Sequence, residues 1–220
     1  MSIIYDTSVI SLFIQVVTQI FDIYVLSMEF SPSLSFIKHL LWIEFFVQFV
    51  ESIFYLWIVL RFSNIENITK YRYFDWFITT PSMLFTYCMY LYSIHHKNNT
   101  HTLYSTAKSN INILLPIFAL NATMLFFGYL AEIGRLRPLT SAILGFVPFC
   151  MFFYLIYETY AKYTSIGRMT FYYFITIWSL YGFSSILKYK YKNIAYNILD
   201  LFSKNFFGIF LASVLLYSQK

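Results

Sequence analysis

The sequence predicts an all-α integral membrane protein, built as a bundle of seven transmembrane helices. Hydrophobic residues make up 59% of the 220 residues and charged residues only 11%, and the mean hydropathy is +0.62. Because a soluble domain carries roughly 25% charged residues, this chain could not cover a surface that faces water. Backbone groups in lipid must be satisfied within their own segment, which favours helices.

Seven apolar stretches are long enough to cross a hydrocarbon core of about 30 Å, which takes roughly 20 residues in a helix. Turn-forming residues separate them, such as Ser31-Pro32-Ser33, and the longest predicted loop covers about residues 94–109. No length remains for a soluble domain, so residues 1–220 are predicted to form a single domain. The predicted helices span about residues 7–28, 36–60, 71–93, 110–131, 139–160, 169–187 and 193–217.

The charges and cysteines also fit a membrane protein. The net charge of +5 comes from residues at the ends of apolar stretches, which indicates anchoring in a lipid bilayer, and no basic run is long enough for nucleic-acid binding. Cys88 and Cys150 lie inside apolar stretches and are expected to be buried free thiols. The first stretch lacks the features of a removable signal peptide, so we expect it to be retained.

Polar residues recur at helical spacing in four of the seven predicted helices. Ser, Thr and Asn at such positions commonly hydrogen-bond between helices, but Glu44 and Glu51 add more carboxyls than the nearby cations can neutralise. We therefore expect a hydrated path on one side of the bundle. The stripes are Thr7, Ser11, Gln15, Thr18 and Asp22; Glu44, Gln48 and Glu51; Arg72, Asp75, Thr79 and Thr86; and Asn193, Asn197, Asp200 and Lys204.

Lys204 lies inside the last apolar stretch, where an ammonium costs ~2.5–3.5 kcal/mol at the bilayer centre. Asp200 is one helical turn earlier on the same face. One interpretation is a structural ion pair between helices. The other is an amine kept for Schiff-base chemistry with an aldehyde cofactor.

Two long motifs decide between these interpretations. Residues Arg72–Pro81 read Arg-Tyr-Phe-Asp-Trp-Phe-Ile-Thr-Thr-Pro, and Leu199, Asp200, Lys204, Phe207 and Gly208 form a second pattern in the last helix. Both closely resemble the microbial (type 1) rhodopsins, and Trp178, Ser179 and Tyr181 match that family's sixth helix. The resemblance covers the whole seven-helix chain. The aromatic composition looks most like the viral rhodopsins of giant algae-infecting viruses.

The resemblance implies that the bundle encloses a retinal pocket, with all-trans-retinal bound to Lys204 as a protonated Schiff base. Asp75 and Asp200 would be its counterions, and Arg72, one turn from Asp75, a compensating cation. The chain departs from the family at Gly182 and Ser185, and its fifth helix matches poorly. The expected pocket residues are Trp76, Thr79, Thr80, Met83, Met124, Gly128, Trp178 and Tyr181.

Rhodopsins of the channel type conduct between helices one, two, three and seven, the helices that carry the polar stripes. The leading hypothesis is therefore a light-gated cation channel, because carboxylates along a pore favour cations. We expect the closed gate to join Arg72 to Glu44 or Glu51. We also expect the substitution Glu51→Gln to change the current with little change in colour. The expected path residues are Ser11, Gln15, Glu44, Gln48, Glu51 and Asn197.

Two alternatives stay open. A light-driven outward proton pump would use Asp75 as acceptor, but Thr86 and Lys192 stand where pumps often carry further carboxylates. A non-transporting photosensor would act through a partner. The family is one of photoreceptors and not of enzymes, and no metal site is predicted. We expect the N-terminus outside and the C-terminus in the cytoplasm, although lysine and arginine are nearly balanced between the two sides; the family also suggests a homo-oligomer.

Overall fold

The structure is a computed structural model that describes residues 2–96 and 102–218. All regular secondary structure in these residues is helical, and the helical segments pack side by side as a seven-helix bundle, which confirms the predicted fold class. The helices are α1 (Ile3–Leu26), α2 (Ser35–Arg61), α3 (Ile68–His95), α4 (Leu103–Ser109), α5 (Ile111–Glu132), α6 (Pro138–Thr159), α7 (Ser165–Ser185), α8 (Tyr189–Asp200) and α9 (Phe206–Ser218).

The last crossing of the bundle is made of three pieces. A π-helical turn, Leu201–Asn205, joins α8 to α9, and we call the three together the seventh segment. In a π-helix each hydrogen bond reaches one residue further than in an α-helix, and such turns are frequent at functional sites. Lys204 lies within this turn.

Part of the long loop predicted at residues 94–109 is helical. Thr102 caps α4, its hydroxyl accepting a hydrogen bond from the backbone N–H of Ser105 at 3.2 Å. Asn110 then separates α4 from α5. The prediction of a continuous loop was therefore wrong for residues 103–109, while residues 97–101 lie outside the described part of the chain.

The helices close into a ring. Each neighbour in the order α1, α2, α3, α5, α6, α7 packs on the next, and the seventh segment packs on both α7 and α1. Aromatic side chains such as Tyr87, Phe153 and Phe207 fill the centre, while Phe13, Phe74 and many other large apolar residues face outward. An outer surface of this kind requires lipid, so the protein is an integral membrane protein.

Within the described residues, five helical segments are long and apolar enough to cross a membrane by length and composition alone: α1, α2 with its flanking turns, α5, α6 and the seventh segment. Helix α3 is more polar, but Arg72, Asp75 and Thr79 are buried inside the bundle. Its polarity is therefore hidden from lipid.

The two cysteines differ in environment. Cys88 is a buried free thiol, as expected, but Cys150 is free and exposed on the outer face of α6. The expectation of burial was wrong for Cys150 because an apolar stretch in a membrane protein has a lipid-facing side as well as a buried one.

Candidate functional site

Lys204 is buried at the centre of the bundle, with carboxyl groups from three segments around its amine. The Nζ atom lies 2.7 Å from Oδ2 of Asp75 on α3, 3.2 Å from Oε1 of Glu51 on α2 and 3.9 Å from Oδ1 of Asp200 on its own segment. The π-helical turn presents the lysine at this point. The structure thus brings both expected counterions to Lys204 and adds Glu51.

Asp200 is held by several donors. The Tyr55 hydroxyl donates to Oδ2 at 2.7 Å, Nη1 of Arg72 donates to the same oxygen at 3.1 Å, and the Tyr181 hydroxyl donates to Oδ1 at 2.8 Å. Hydrogen bonds to charged groups are strong, so these three donors fix the position of the Asp200 carboxyl.

Arg72, expected as the compensating cation of the carboxylate pair, contacts Asp200 and not Asp75. Its ion pair is with Asp200, and it also donates to the side chains of Asn193 at 3.4 Å and Asn197. The long arginine side chain reaches across to the seventh segment, whereas Asp75 points at Lys204. Sequence spacing placed Arg72 and Asp75 on one face but did not show which of the two carboxyls Arg72 would meet.

A cavity of about 110 Å³ lies between α3, α5, α6 and α7, and Lys204 is among the residues that line it. Seven of the eight expected pocket residues line it: Trp76, Thr80, Met83, Met124, Gly128, Trp178 and Tyr181. Sequence reasoning did not assign these others to the lining: Tyr73, Leu125, Ser141, Ala142, Gly145, Phe146, Phe149, Gly182, Ser185, Tyr196 and Ser203.

Thr79 is the exception among the expected pocket residues. Its hydroxyl donates to the backbone oxygen of Asp75 at 3.0 Å, and its side chain does not line the cavity. Thr80 does, and it accepts a hydrogen bond from Asn121 at 2.8 Å. Adjacent helical residues point about 100° apart, and here that rotation directs Thr80 to the cavity and Thr79 away from it.

Two glycines of the lining pack closely against aromatic side chains. A Cβ atom on Gly128 would lie 2.5 Å from the Tyr73 hydroxyl, and one on Gly182 would lie 2.6 Å from Phe146. With Trp76 and Trp178 among its walls, the cavity suits an apolar molecule, and the Lys204 amine in its lining suits an aldehyde. The residues present therefore fit retinal.

The missed lining residues left little signal in the sequence. Tyr73 and Tyr196 each pack edge-on against Trp76, with ring centroids 5.0 Å apart, but aromatic residues are 23% of the chain and these two do not stand out. Gly182 and Ser185 were visible as departures from the family pattern. Both line the cavity, so a departure of this kind could have been used as a signal.

The four polar stripes meet in one buried column of side chains. In the half of the column nearer the start of α1, Asn197 joins side chains from several helices. Its amide nitrogen donates to Thr7 at 2.7 Å and Ser8 at 3.1 Å, and its backbone oxygen accepts from Ser11 at 3.0 Å. Tyr55 and Arg72 donate to its side-chain oxygen.

The column continues on the other side of Lys204. Asn205 donates to Thr18 at 3.1 Å, Thr18 donates to Gln48 at 3.2 Å, and Gln48 donates to Asp22 at 2.8 Å. These contacts join the seventh segment, α1 and α2. Gly208 packs directly against Gln48 and Asp22, where a Cβ atom would clash with the Gln48 amide.

The glutamates do not form the gate that the sequence suggested with Arg72. Glu44 accepts a hydrogen bond from Thr86, and Glu51 lies beside Lys204. A residue one turn along a helix can be located from spacing, but partners on different helices depend on how the helices align in depth.

Several buried polar atoms of the column have no hydrogen-bond partner among the described residues. They are Gln15 Nε2, Asp22 Oδ1, Glu44 Oε2, Glu51 Oε1 and Oε2, Asp75 Oδ1 and Asn205 Oδ1. Buried polar groups are normally satisfied by protein or ordered water, so the column has the chemistry of a hydrated path. Lys192 lies in the half of the column nearer the start of α1. It is not one of these unpartnered groups, because it forms an ion pair with Glu132 at 2.7 Å.

This fold is that of the seven-helix retinal photoreceptors. A sequence profile for bacteriorhodopsin-like proteins matches residues 6–217. The chain belongs to this family of microbial rhodopsins, as its motifs predicted. It is a light-driven photoreceptor of the kind whose chromophore is retinal.

Solved structures give the same fold. The viral rhodopsin OLPVRII superimposes with a TM-score of 0.85 at 25% sequence identity, covering 100% of both chains. A blue light-absorbing proteorhodopsin from Med12 gives a TM-score of 0.77 at 17% identity over 98% of each chain. The bromide-bound halorhodopsin from Halobacterium salinarum gives 0.68 at 14% identity, over 95% of this chain and 91% of that one. No curated protein matches the sequence.

Proposed function

We propose that the protein is a light-gated cation channel whose pore runs between α1, α2, α3 and the seventh segment. The observation that carries this proposal is the buried polar column, which joins these four segments on both sides of Lys204 and contains most of the unpartnered buried polar atoms of the described residues. A column with unpartnered carboxyl oxygens attracts water and cations.

Lys204 would hold retinal through a Schiff-base linkage, with the apolar part lying in the adjoining cavity. When bound, retinal supplies light absorption and a change of shape at the lysine end. Asp75 and Asp200 balance the positive charge of the amine, and the three donors on Asp200 keep that carboxylate in place. A displaced Lys204 would break its direct contact with Asp75.

The closed column has two barriers. On one side Arg72 joins Asn193, Asn197 and Asp200. On the other, Gln48 and Asp22 close against Gly208. All of these side chains are buried. Conduction requires both groups to separate and admit water, and motion of the π-helical turn between them is a mechanical way to do so.

We further propose that the N-terminus lies outside and the C-terminus in the cytoplasm, with the bilayer and retinal as partners and small cations as the transported species. The aromatic outer faces are explained by lipid contact. Assembly into a homo-oligomer is a proposal from the family alone.

Whole-cell voltage clamp under illumination tests the channel proposal. The expected photocurrent reverses sign near the equilibrium potential of the permeant cation and is absent in Lys204→Ala. Current that stays outward at every voltage would overturn the channel. If the protein absorbs visible light but gives no photocurrent in this measurement, the result would indicate a photosensor.

One contact favours a light-driven outward proton pump as the second candidate. Thr86 occupies the position where pumps often carry a carboxylate, but its hydroxyl donates to Glu44, so α2 supplies a carboxyl there. In a pump, a proton held by the Glu44 carboxyl would have to return to Lys204 in each cycle. In that case Glu44→Gln should slow recovery in the dark, and added azide, a small diffusible acid, should restore it; unchanged recovery would speak against the pump.

A further inference from the structure

Glu51 is closer to the Lys204 amine than Asp200 is. Its Oε1 lies 3.2 Å from Nζ, against 3.9 Å for Oδ1 of Asp200, and the Glu51 side chain has no exposed surface. At this distance a carboxyl group acts directly on the charge of the amine. Family motifs on α3 and the seventh segment do not include this residue, and the polar stripe assigned it to an ion path.

The charges around the amine do not balance if every group is ionised. The cluster holds two cations, Lys204 and Arg72, and three carboxyls, Glu51, Asp75 and Asp200. Tyr55 from α2 and Tyr181 from α7 are neutral phenols, and α1 contributes Ser11 and Gln15 without charge. A buried excess negative charge is costly, so one carboxyl in such a group retains a proton.

Asp22 and Glu44 form separate contacts further along the column. Asp22 accepts a hydrogen bond from Gln48 and Glu44 accepts one from Thr86, so neither contacts Lys204. The proton therefore has to be assigned among Glu51, Asp75 and Asp200.

Hydrogen bonding separates the three carboxyls. Asp200 accepts from Tyr55, Arg72 and Tyr181, and Oδ2 of Asp75 accepts from Lys204 at 2.7 Å. Glu51 has the fewest donors: its Oε1 lies 3.2 Å from the same Nζ atom that already donates to Asp75, and its Oε2 has no hydrogen-bond partner among the described residues. An ionised carboxylate with so few donors is the most expensive of the three to bury, because most of its lost hydration is not replaced.

We propose that Glu51 is the third carboxyl of the Lys204 counterion cluster and the one that carries its proton at neutral pH, so that it controls how colour depends on pH. This inference rests on the proposed attachment of retinal to Lys204. Ionisation of Glu51 would place a second negative charge beside the amine, and stabilising a positive charge localised there moves absorption to shorter wavelength.

The test is a dark absorption titration of purified, retinal-loaded protein. Raising the pH should shift the visible band of the native protein to shorter wavelength before the separate loss of that band when the lysine nitrogen itself loses its proton. Glu51→Gln should match the native colour at neutral pH, because glutamine resembles the protonated acid, and should lose the alkaline shift. Glu51→Asp should keep a shift at a changed midpoint.

Glu44→Gln is the matched control, because it removes the other buried glutamate of α2, two helical turns away. Whatever it does to photocurrent, it should leave the alkaline shift intact. An independent reading comes from infrared spectra of the retinal-free protein, in which Glu51→Gln should remove a protonated-carboxyl C=O band that Glu44→Gln leaves in place.

Three results would overturn the inference: an alkaline shift that persists in Glu51→Gln, a neutral-pH red shift in that variant as large as that of Asp75→Asn, or a native carboxyl band that Glu51→Gln does not affect. If Glu51→Gln fails to fold, Glu51→Asp and the native titration still decide through the position of the midpoint.

Failure of the proposed function gives a different result from failure of this inference. A native protein with no visible band has no retinal, whereas one with the expected titration but no photocurrent retains this role for Glu51.

Discussion

At the scale of single residues, the site depends on which carboxyl faces which cation. Asp75 is the direct partner of Lys204 at 2.7 Å. Asp75→Asn removes the negative charge at that contact, so retinal-loaded protein should absorb at longer wavelength, as absorption spectra at neutral pH can show. Thr79→Val on the same helix is the control and should leave the colour nearly unchanged, because Thr79 does not line the cavity. Equal spectra for Asp75→Asn and the native protein would contradict the assignment.

Arg72 supports stability at the same scale. Arg72→Gln removes the cation that donates a hydrogen bond to the buried Asp200 carboxylate, and breaking a buried pair typically costs about 3–5 kcal/mol, so the variant should unfold at clearly lower temperature or denaturant concentration in detergent. Arg168→Gln changes an exposed arginine and should stay within about 0.5 kcal/mol of the native protein. Adding Asp200→Asn to Arg72→Gln should recover part of the loss, and a strictly additive double variant would count against the ion pair.

At the scale of elements, the seventh segment packs closely on α1 and α2 through Gly208. In Gly208→Ala the new methyl group meets the Gln48 amide and comes within 2.9 Å of Asp22 Oδ2. We expect a loss of about 1–3 kcal/mol, as for other overpacked sites, and a raised leak current in the dark. Gly145→Ala is the control for stability, since its nearest neighbours are at 3.7 Å. Native stability and dark current in Gly208→Ala would show that this contact is not a barrier.

The polar stripes themselves could be read from the sequence because neighbours three and four apart share a helix face. Ser11 and Gln15 on α1, or Glu44 and Gln48 on α2, are buried together as that spacing requires. The depth at which each polar residue lies in the bundle could not be predicted from the sequence. Whether Glu44 or Glu51 would lie at the level of Lys204 depended on how α2 slides against the seventh segment, which many weak contacts decide together.

At the scale of the whole molecule, the bundle divides into two sides. The cavity lies among α3, α5, α6 and α7, and the polar column among α1, α2, α3 and the seventh segment, with Lys204 at their junction. This division separates a side that determines colour from a side proposed to conduct.

The division makes a prediction about Gln48, which belongs to the column and does not line the cavity. Gln48→Leu removes the hydrogen bonds to Asp22 and Thr18 and places apolar atoms in the path, so the photocurrent should fall several-fold while the absorption maximum stays unchanged. Glu158→Gln, at the surface of α6 beside Lys162, should leave both unchanged. A native photocurrent in Gln48→Leu, at equal surface expression, would locate the path elsewhere.

The sequence by itself determined the membrane class, the seven helices, the family and the buried lysine with its two aspartates. These features follow from composition, from helical period and from two long motifs, all of which are local along the chain. The tertiary structure alone decided that Arg72 pairs with Asp200, that Thr86 meets Glu44, that Thr79 turns away from the cavity and that Glu51 lies at the lysine. The physical reason is that covalent spacing fixes neighbours within one helix, whereas partners between helices depend on the rotation and depth at which separate helices pack.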